Sequence, residues 1–268
     1  MTVAVQYLDA MLATVKRDAT IFLSYRLRFL TQILTMLFTL TMFYYVAKLV
    51  RPNAVGPHGQ YYAFVVVGIV SMAVLTSALN TSEIVRMELM AGNFERMLIS
   101  PLGPVAGVMS VAAFPILYSM VFAGLMLTLA TGLYGVPVDP LGIPLALPVA
   151  ALGALAFAGI GLVFVGGLLA FKSAMGAAWV IAALSLLGGV YFPVALFPGW
   201  IRWASEVQPF TPAVDLLRHL LVGAPSQQAV WLELVKLGGF TAVLMPGSAA
   251  VLWLAVRLSR RRGTIMEY

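Results

Sequence analysis

A chain of 268 residues that is 62% hydrophobic and 10% charged, with a mean hydropathy of +0.98, is no soluble core; soluble domains carry about 25% charged residues. It reads as one all-α integral membrane domain over residues 1–268. The absence of cysteine excludes disulfides, thiolate metal sites and cysteine nucleophiles. The net charge of +6 fits membrane topology and contact with anionic lipid headgroups, and nucleic acid is not expected as a partner.

Residues 5–25 predict an interfacial helix: Leu8, Met11, Leu12, Val15, Ala19, Phe22 and Leu23 recur at helical spacing, with Asp9, Lys16, Arg17 and Asp18 mostly off that stripe. Charges this dense argue against a cleavable signal peptide. The first span is expected at Phe29–Val50, with Lys48 snorkelling at its end. Thr31, Thr35 and Thr39 share one face of it, beside Gln32. They either line a substrate path or bond their own carbonyls one turn back. A turn-rich loop at 51–60 leads to a second span, Tyr61–Leu79, whose polar exit is Asn80, Thr81 and Ser82.

The stretch Glu83–Pro101 follows. Glu83, Arg86, Glu88, Glu95 and Arg96 crowd into 14 residues, while Ile84, Val85, Met87, Leu89, Met90, Met97 and Leu98 keep an apolar side. Hydrocarbon is excluded, since each charge there costs roughly 2.5–3.5 kcal/mol. The segment lies flat at the surface or docks into a partner's groove, and a plain solvated loop is the alternative. Pro101 and Pro104 end it.

A third span is expected at Val105–Leu133 and a fourth, rich in small residues that let helices approach, at Leu141–Phe171. Lys172 marks a tight turn before a fifth span at Ala174–Tyr191. Residues 192–223 then break the pattern. Pro193, Pro198 and Gly199 interrupt any helix, Trp200 and Trp203 suit the headgroup belt, and a short amphipathic helix is expected near Pro212–Leu221. This predicts a re-entrant or interfacial turn, then a sixth span at Leu237–Val256 and a basic tail. Six spans place both termini on one side. With that side cytoplasmic, 11 of the 16 basic residues fall inside, which places Glu83–Pro101 in the cytoplasm and 192–223 outside.

Several chemistries have no residues to carry them. There is no G-x-x-x-x-G-K-[ST], no G-x-S-x-G and no carboxylate in mid-span. His58 and His219 stand apart without metal-ligand spacing. The chain is therefore not read as an enzyme, and energy for uphill transport has to come from elsewhere.

Two segments resemble the ABC-2 family of bacterial ABC-transporter permeases. Glu88, Gly92, Glu95 and Met97-Leu98-Ile99-Ser100-Pro101 are similar to the family's E-x-x-x-G-x-x-E-x-L-x-x-S/T-P pattern. Gly189-Val190-Tyr191-Phe192-Pro193, Phe197-Pro198-Gly199-Trp200, Gln208-Pro209-Phe210-Thr211 and Ala213-Val214-Asp215 with Leu217-Arg218 resemble its signature before the last span. Pro212, and Asn93-Phe94, depart from that pattern.

The resemblance implies a coupling helix within 83–101, seated on a separate nucleotide-binding ATPase subunit through Glu88, Met90, Gly92, Phe94, Glu95, Arg96, Met97 and Leu98. ATP and Mg would be bound by that partner, with no cofactor in this chain. A second permease copy or homologue would complete the transporter, in a bacterial cell membrane with both termini cytoplasmic. Phe192, Pro193, Phe197, Pro198, Gly199 and Trp200 would form an extracellular lid, and Thr31, Thr35, Thr39, Asn80 and Tyr191 are candidates for the substrate path. The implied activity is ATP-driven export of an amphipathic drug-like compound or lipid. Export of lipid-linked polysaccharide, O-antigen or teichoic-acid-type glycan is the alternative. A stand-alone channel or membrane enzyme and a non-transporting sensor or scaffold remain as other classes.

Overall fold

A computed structural model describes residues 3–49, 58–93, 103–171 and 176–262. In chain order they form α1 (Val3–Ser24), α2 (Arg26–Leu49), α3 (His58–Leu79), α4 (Thr81–Met90), α5 (Gly103–Tyr134), α6 (Ile143–Phe171), α7 (Ala177–Leu187), a 3-10 turn (Val194–Leu196), α8 (Gly199–Glu206), α9 (Phe210–Val222) and α10 (Val230–Arg262). No strand occurs among the described residues. Helices follow from the solvent: within a bilayer every backbone donor and acceptor must be satisfied inside its own segment.

Among the described residues, five stretches are long and apolar enough to cross a membrane: Phe29–Leu49, Tyr61–Met90, Val105–Tyr134, Ile143–Phe171 and Val230–Ser259. The second runs through α3 into α4, where Glu83, Arg86 and Glu88 separate the apolar span from its charged continuation. Within the expected fifth span, Ala174–Tyr191, the described residues hold one helix, Ala177–Leu187, of 11 residues, about half the length needed to cross ~30 Å of hydrocarbon at ~1.5 Å per residue. Its end is local: Gly189 takes φ +74°, a conformation that no helix continues through. Lys172 and Ala174 lie outside the described residues.

The core is built around α6. It packs against α3, α9 and α10, with Leu75, Phe157, Phe210, Leu216 and Leu237 all buried. Glycine makes the approach possible, as the fourth span's composition predicts. A Cβ on Gly161 would lie 2.1 Å from the carbonyl oxygen of Ala78, and one on Gly159 would lie 2.9 Å from Leu244 Cβ. Replacing Gly161 by valine is therefore expected to push α3 off α6 and lower the melting temperature of the detergent-solubilised protein by several degrees. A melting curve unchanged by that substitution would refute this packing.

The N-terminal helix forms where the sequence predicts it. It leans on α5 through Phe22, whose ring lies 6.2 Å from Phe114 and 4.4 Å from Tyr118. By contrast α2 is barely covered. Only 11% of its apolar window is buried, and Leu34, Phe38 and Tyr45 are exposed.

Candidate functional site

The charged stretch begins as α4. Thr81, Ser82, Val85 and Leu89 form its buried face, and Val85 and Leu89 join a cluster with Val108, Leu162 and Leu168 of α5 and α6. Burying this stripe fixes which side faces out, and Met87 and Met90 stand exposed there. Arg86 Nε donates to Glu83 Oε2 at 2.9 Å, closing an i,i+3 pair along the helix.

Glu88 is already engaged within the chain. Asn93 Nδ2 donates to its Oε2 at 2.8 Å, and Arg17 Nη2 of α1 lies 3.6 Å from its Oε1. Helix α1 and the charged stretch are thus joined by an ion pair, a link that periodicity on either segment gives no hint of. Helix α4 closes with Gly92 at φ +70°, its N–H donating to Leu89 O at 3.1 Å. That left-handed residue is the C-terminal cap glycine favours. Phe94, Glu95, Arg96, Met97 and Leu98 lie outside the described residues.

The path candidates separate into two groups. Thr35 Oγ1 donates to Thr31 O at 2.9 Å and Thr39 Oγ1 to Thr35 O at 2.8 Å. For Thr35 and Thr39, of the two readings of the stripe, the structure shows self-bonded hydroxyls. What α2 offers to a cleft with α3 and α5 is Gln32 and Met36. That cleft has a volume of about 390 Å³ and is lined by Asn80 together with Met72, Thr76, Tyr118 and Met126. Asn80 sits at the α3–α4 junction, exposed, and its side chain makes no capping bond to α4. Ser77 Oγ, on the same wall, donates to Pro115 O of α5 at 2.8 Å.

Tyr191 approaches from the other end of the same α3 face. Its hydroxyl donates to Met72 Sδ at 3.6 Å, its ring stacks on Phe43 at 5.7 Å, and its carbonyl accepts from Tyr61 Oη at 3.2 Å. Asn80 and Tyr191 therefore meet one surface, connected by Met72, while Thr31, Thr35 and Thr39 are not among the cleft's lining residues.

The proline-rich segment is ordered by aromatic and cationic ties. Phe192 and Phe197 meet edge-to-face at 5.5 Å around the 3-10 turn, and Pro193 precedes that turn. Arg202 of α8 returns Nη2 to Ala195 O at 2.8 Å and Phe197 O at 3.3 Å. Pro198 and Gly199 open α8, which leaves Trp200 exposed.

The residue whose structural weight is least legible in the sequence is Arg218. It is 2% exposed, its Nε donates to Phe64 O at 3.0 Å and its Nη2 to Val190 O at 2.9 Å. The guanidinium lies 3.3 Å from the centre of the Phe64 ring, a cation–π contact. Burial pulls its pKa down to about 9, and Asp215, one turn earlier, acts against that fall; at neutral pH it stays charged. Burial likewise raises Asp215, opposed by the bond that its Oδ2 accepts from Gln227 N at 2.8 Å. Gly68 leaves the space: a Cβ there would lie 2.7 Å from Arg218 Nη2 and 2.5 Å from Val190 O.

Among the described residues, five stretches long and apolar enough to cross a membrane, a charged helix packed on α5 and α6, and a proline-broken segment before the last stretch mark a multi-pass helical membrane protein. The family of ABC-2 type transporters matches residues 8–222, and the chain belongs to that family. No curated protein matches it. ABC-2 domains are in general the non-catalytic membrane components of ABC transporters, and membership implies association with an ABC ATPase subunit.

Proposed function

We propose that the chain is the membrane subunit of an ATP-driven exporter, moving an amphipathic compound or lipid outward by alternating access. The observation that carries this is α4 itself. One face is built into the core formed with α5 and α6, the other presents Met87 and Met90, and Gly92 closes the helix in a left-handed conformation. Such a helix moves the spans when pulled, which is what an ATPase seat requires. Met90 and the residues through Leu98 meet the ATPase. Glu95 and Arg96 supply its charged contacts, while Glu88, held by Arg17 and Asn93, stiffens the seat from within.

Two copies of the chain, or this chain and a homologue, pair in a bacterial cell membrane with both termini cytoplasmic, as the distribution of basic residues favours. Closure of two ATP-loaded partners, which carry the ATP and Mg, rocks the spans between inward- and outward-open states. Phe192–Trp200 closes the outer side. The cleft favours an amphiphile over a glycan: Met36, Met72, Phe122 and Met126 give it an apolar body, and Asn80 and Gln32 a polar end.

The test is affinity capture of tagged chain from native membranes in mild detergent. A soluble protein bearing G-x-x-x-x-G-K-[ST] is expected to co-purify from wild type and to be lost from Glu95→Arg. Recovery of the chain alone in intact oligomers, or an ATPase that Glu95→Arg retains, overturns the assignment.

A further inference from the structure

We infer that the space between α5 and α6 is a binding site for one acyl chain of a bilayer lipid. It is a cavity of about 470 Å³, within the 300–1,000 Å³ typical of ligand pockets. Its floor is deep and apolar: Val67 and Val74 of α3, Phe157 of α6 and Leu217 of α9 are all buried. Its rim is open, with Val121 of α5 71% exposed and Leu147 of α6 61% exposed.

The chemistry of the lining selects hydrocarbon. Its two hydroxyls are both spent inside their own helices, Ser71 Oγ on Val67 O and Thr128 Oγ1 on Gly124 O, each at 2.9 Å. No charged side chain lines it. Water entering such a space finds no partners, and apolar cavities of this kind stay dry or take an apolar guest. The two helices that frame the rim carry further exposed apolar side chains, Leu117 on α5 and Leu145 on α6, each at least half exposed. In a multi-pass membrane protein that surface faces lipid, so the first guest at the mouth is an acyl tail whose headgroup stays outside. The site opens mainly on the other face of α3 and α5 from the cleft lined by Asn80, with Ala123 the lining residue the two share, and it does not depend on the export reading.

Gly124 provides a clean test. It lines the cavity, and a Cβ there would meet nothing within 4 Å, so Gly124→Leu starts from open space and extends its branch into the cavity. Gly132 of the same helix is equally open but does not line the cavity, so Gly132→Leu controls for replacing a helical glycine. Full-length protein is reconstituted in vesicles containing a phosphatidylcholine with a diazirine at mid-tail, irradiated, and mapped by peptide mass spectrometry. Labelling of Val67, Val74 and Phe157 is expected in wild type and Gly132→Leu, and its loss in Gly124→Leu. Absence of floor labelling in wild type, or labelling that survives Gly124→Leu, overturns the proposal. So does displacement of the lipid by a soluble long-chain ammonium compound, which would reassign the cavity to a transported amphiphile. Unchanged size-exclusion profiles of both variants exclude misfolding as the cause of the loss.

Discussion

Arg218→Met is expected to cost about 2–4 kcal/mol of stability, since a buried acceptor left unpaired costs about 1–3 kcal/mol and a desolvated cation–π contact is lost with it. The arginine's two donor nitrogens tie the carbonyls of Phe64 on α3 and Val190 beyond α7 to α9. Methionine fills the volume but offers no donor, so Val190 O loses this bond and the Phe64 ring loses its cation. Arg218→Lys should recover little. One ammonium cannot reproduce a planar fork aimed at two acceptors while stacking on Phe64. Thermal denaturation of the detergent-solubilised protein, followed by size-exclusion recovery, measures this. A lysine variant that melts with wild type would show that charge alone suffices, and a methionine variant that does so would remove Arg218 from the stabilising set.

The second large effect is expected at Gly92, and on activity, not on folding. Proline holds φ near −65° and has no N–H, whereas Gly92 sits at φ +70° and donates to Leu89 O. Gly92→Pro must abolish both the left-handed turn and its hydrogen bond where the chain leaves α4. Because α4 is anchored upstream by Val85 and Leu89, membrane insertion and yield should match wild type while ATPase recruitment and transport are lost. Gly92→Ala should fall between, since a left-handed residue bearing a Cβ costs roughly 1–2 kcal/mol. Gly92→Asn, which tolerates that conformation, should work almost normally. A proline variant that binds the ATPase and transports would disconnect the turn from coupling.

What the sequence discloses and what it hides divide along physical lines. Helix type and most span positions are legible because bilayer insertion reads composition one segment at a time, as Val105–Tyr134 and Ile143–Phe171 show. The packing role of the fourth span's glycines is legible for the same reason, since only small side chains permit backbone contact. The length of α7 is not. An apolar run from Ala174 to Tyr191 looks continuous by hydropathy, and the break comes from backbone conformation at Gly189. Pairings over long sequence separation are hidden as well: Arg17 with Glu88, Arg218 with Phe64 and Val190. Arg17 and Arg218 each look like an ordinary surface charge until the fold brings their partners near.

The threonines of the first span carry a last consequence. With the hydroxyls of Thr35, Thr39 and Thr41 each donating to a carbonyl one turn back, α2 presents fewer free polar groups to its surroundings than its composition advertises. Residue-by-residue hydropathy undervalues such a segment, because it charges every hydroxyl for water that the helix itself has already replaced. To the insertion machinery α2 reads closer to a valine-rich segment, and exchanging Thr35 or Thr39 for valine should leave its partition into the bilayer nearly unaltered. The helix with the least protein around it is thereby the one best prepared to be solvated by lipid alone.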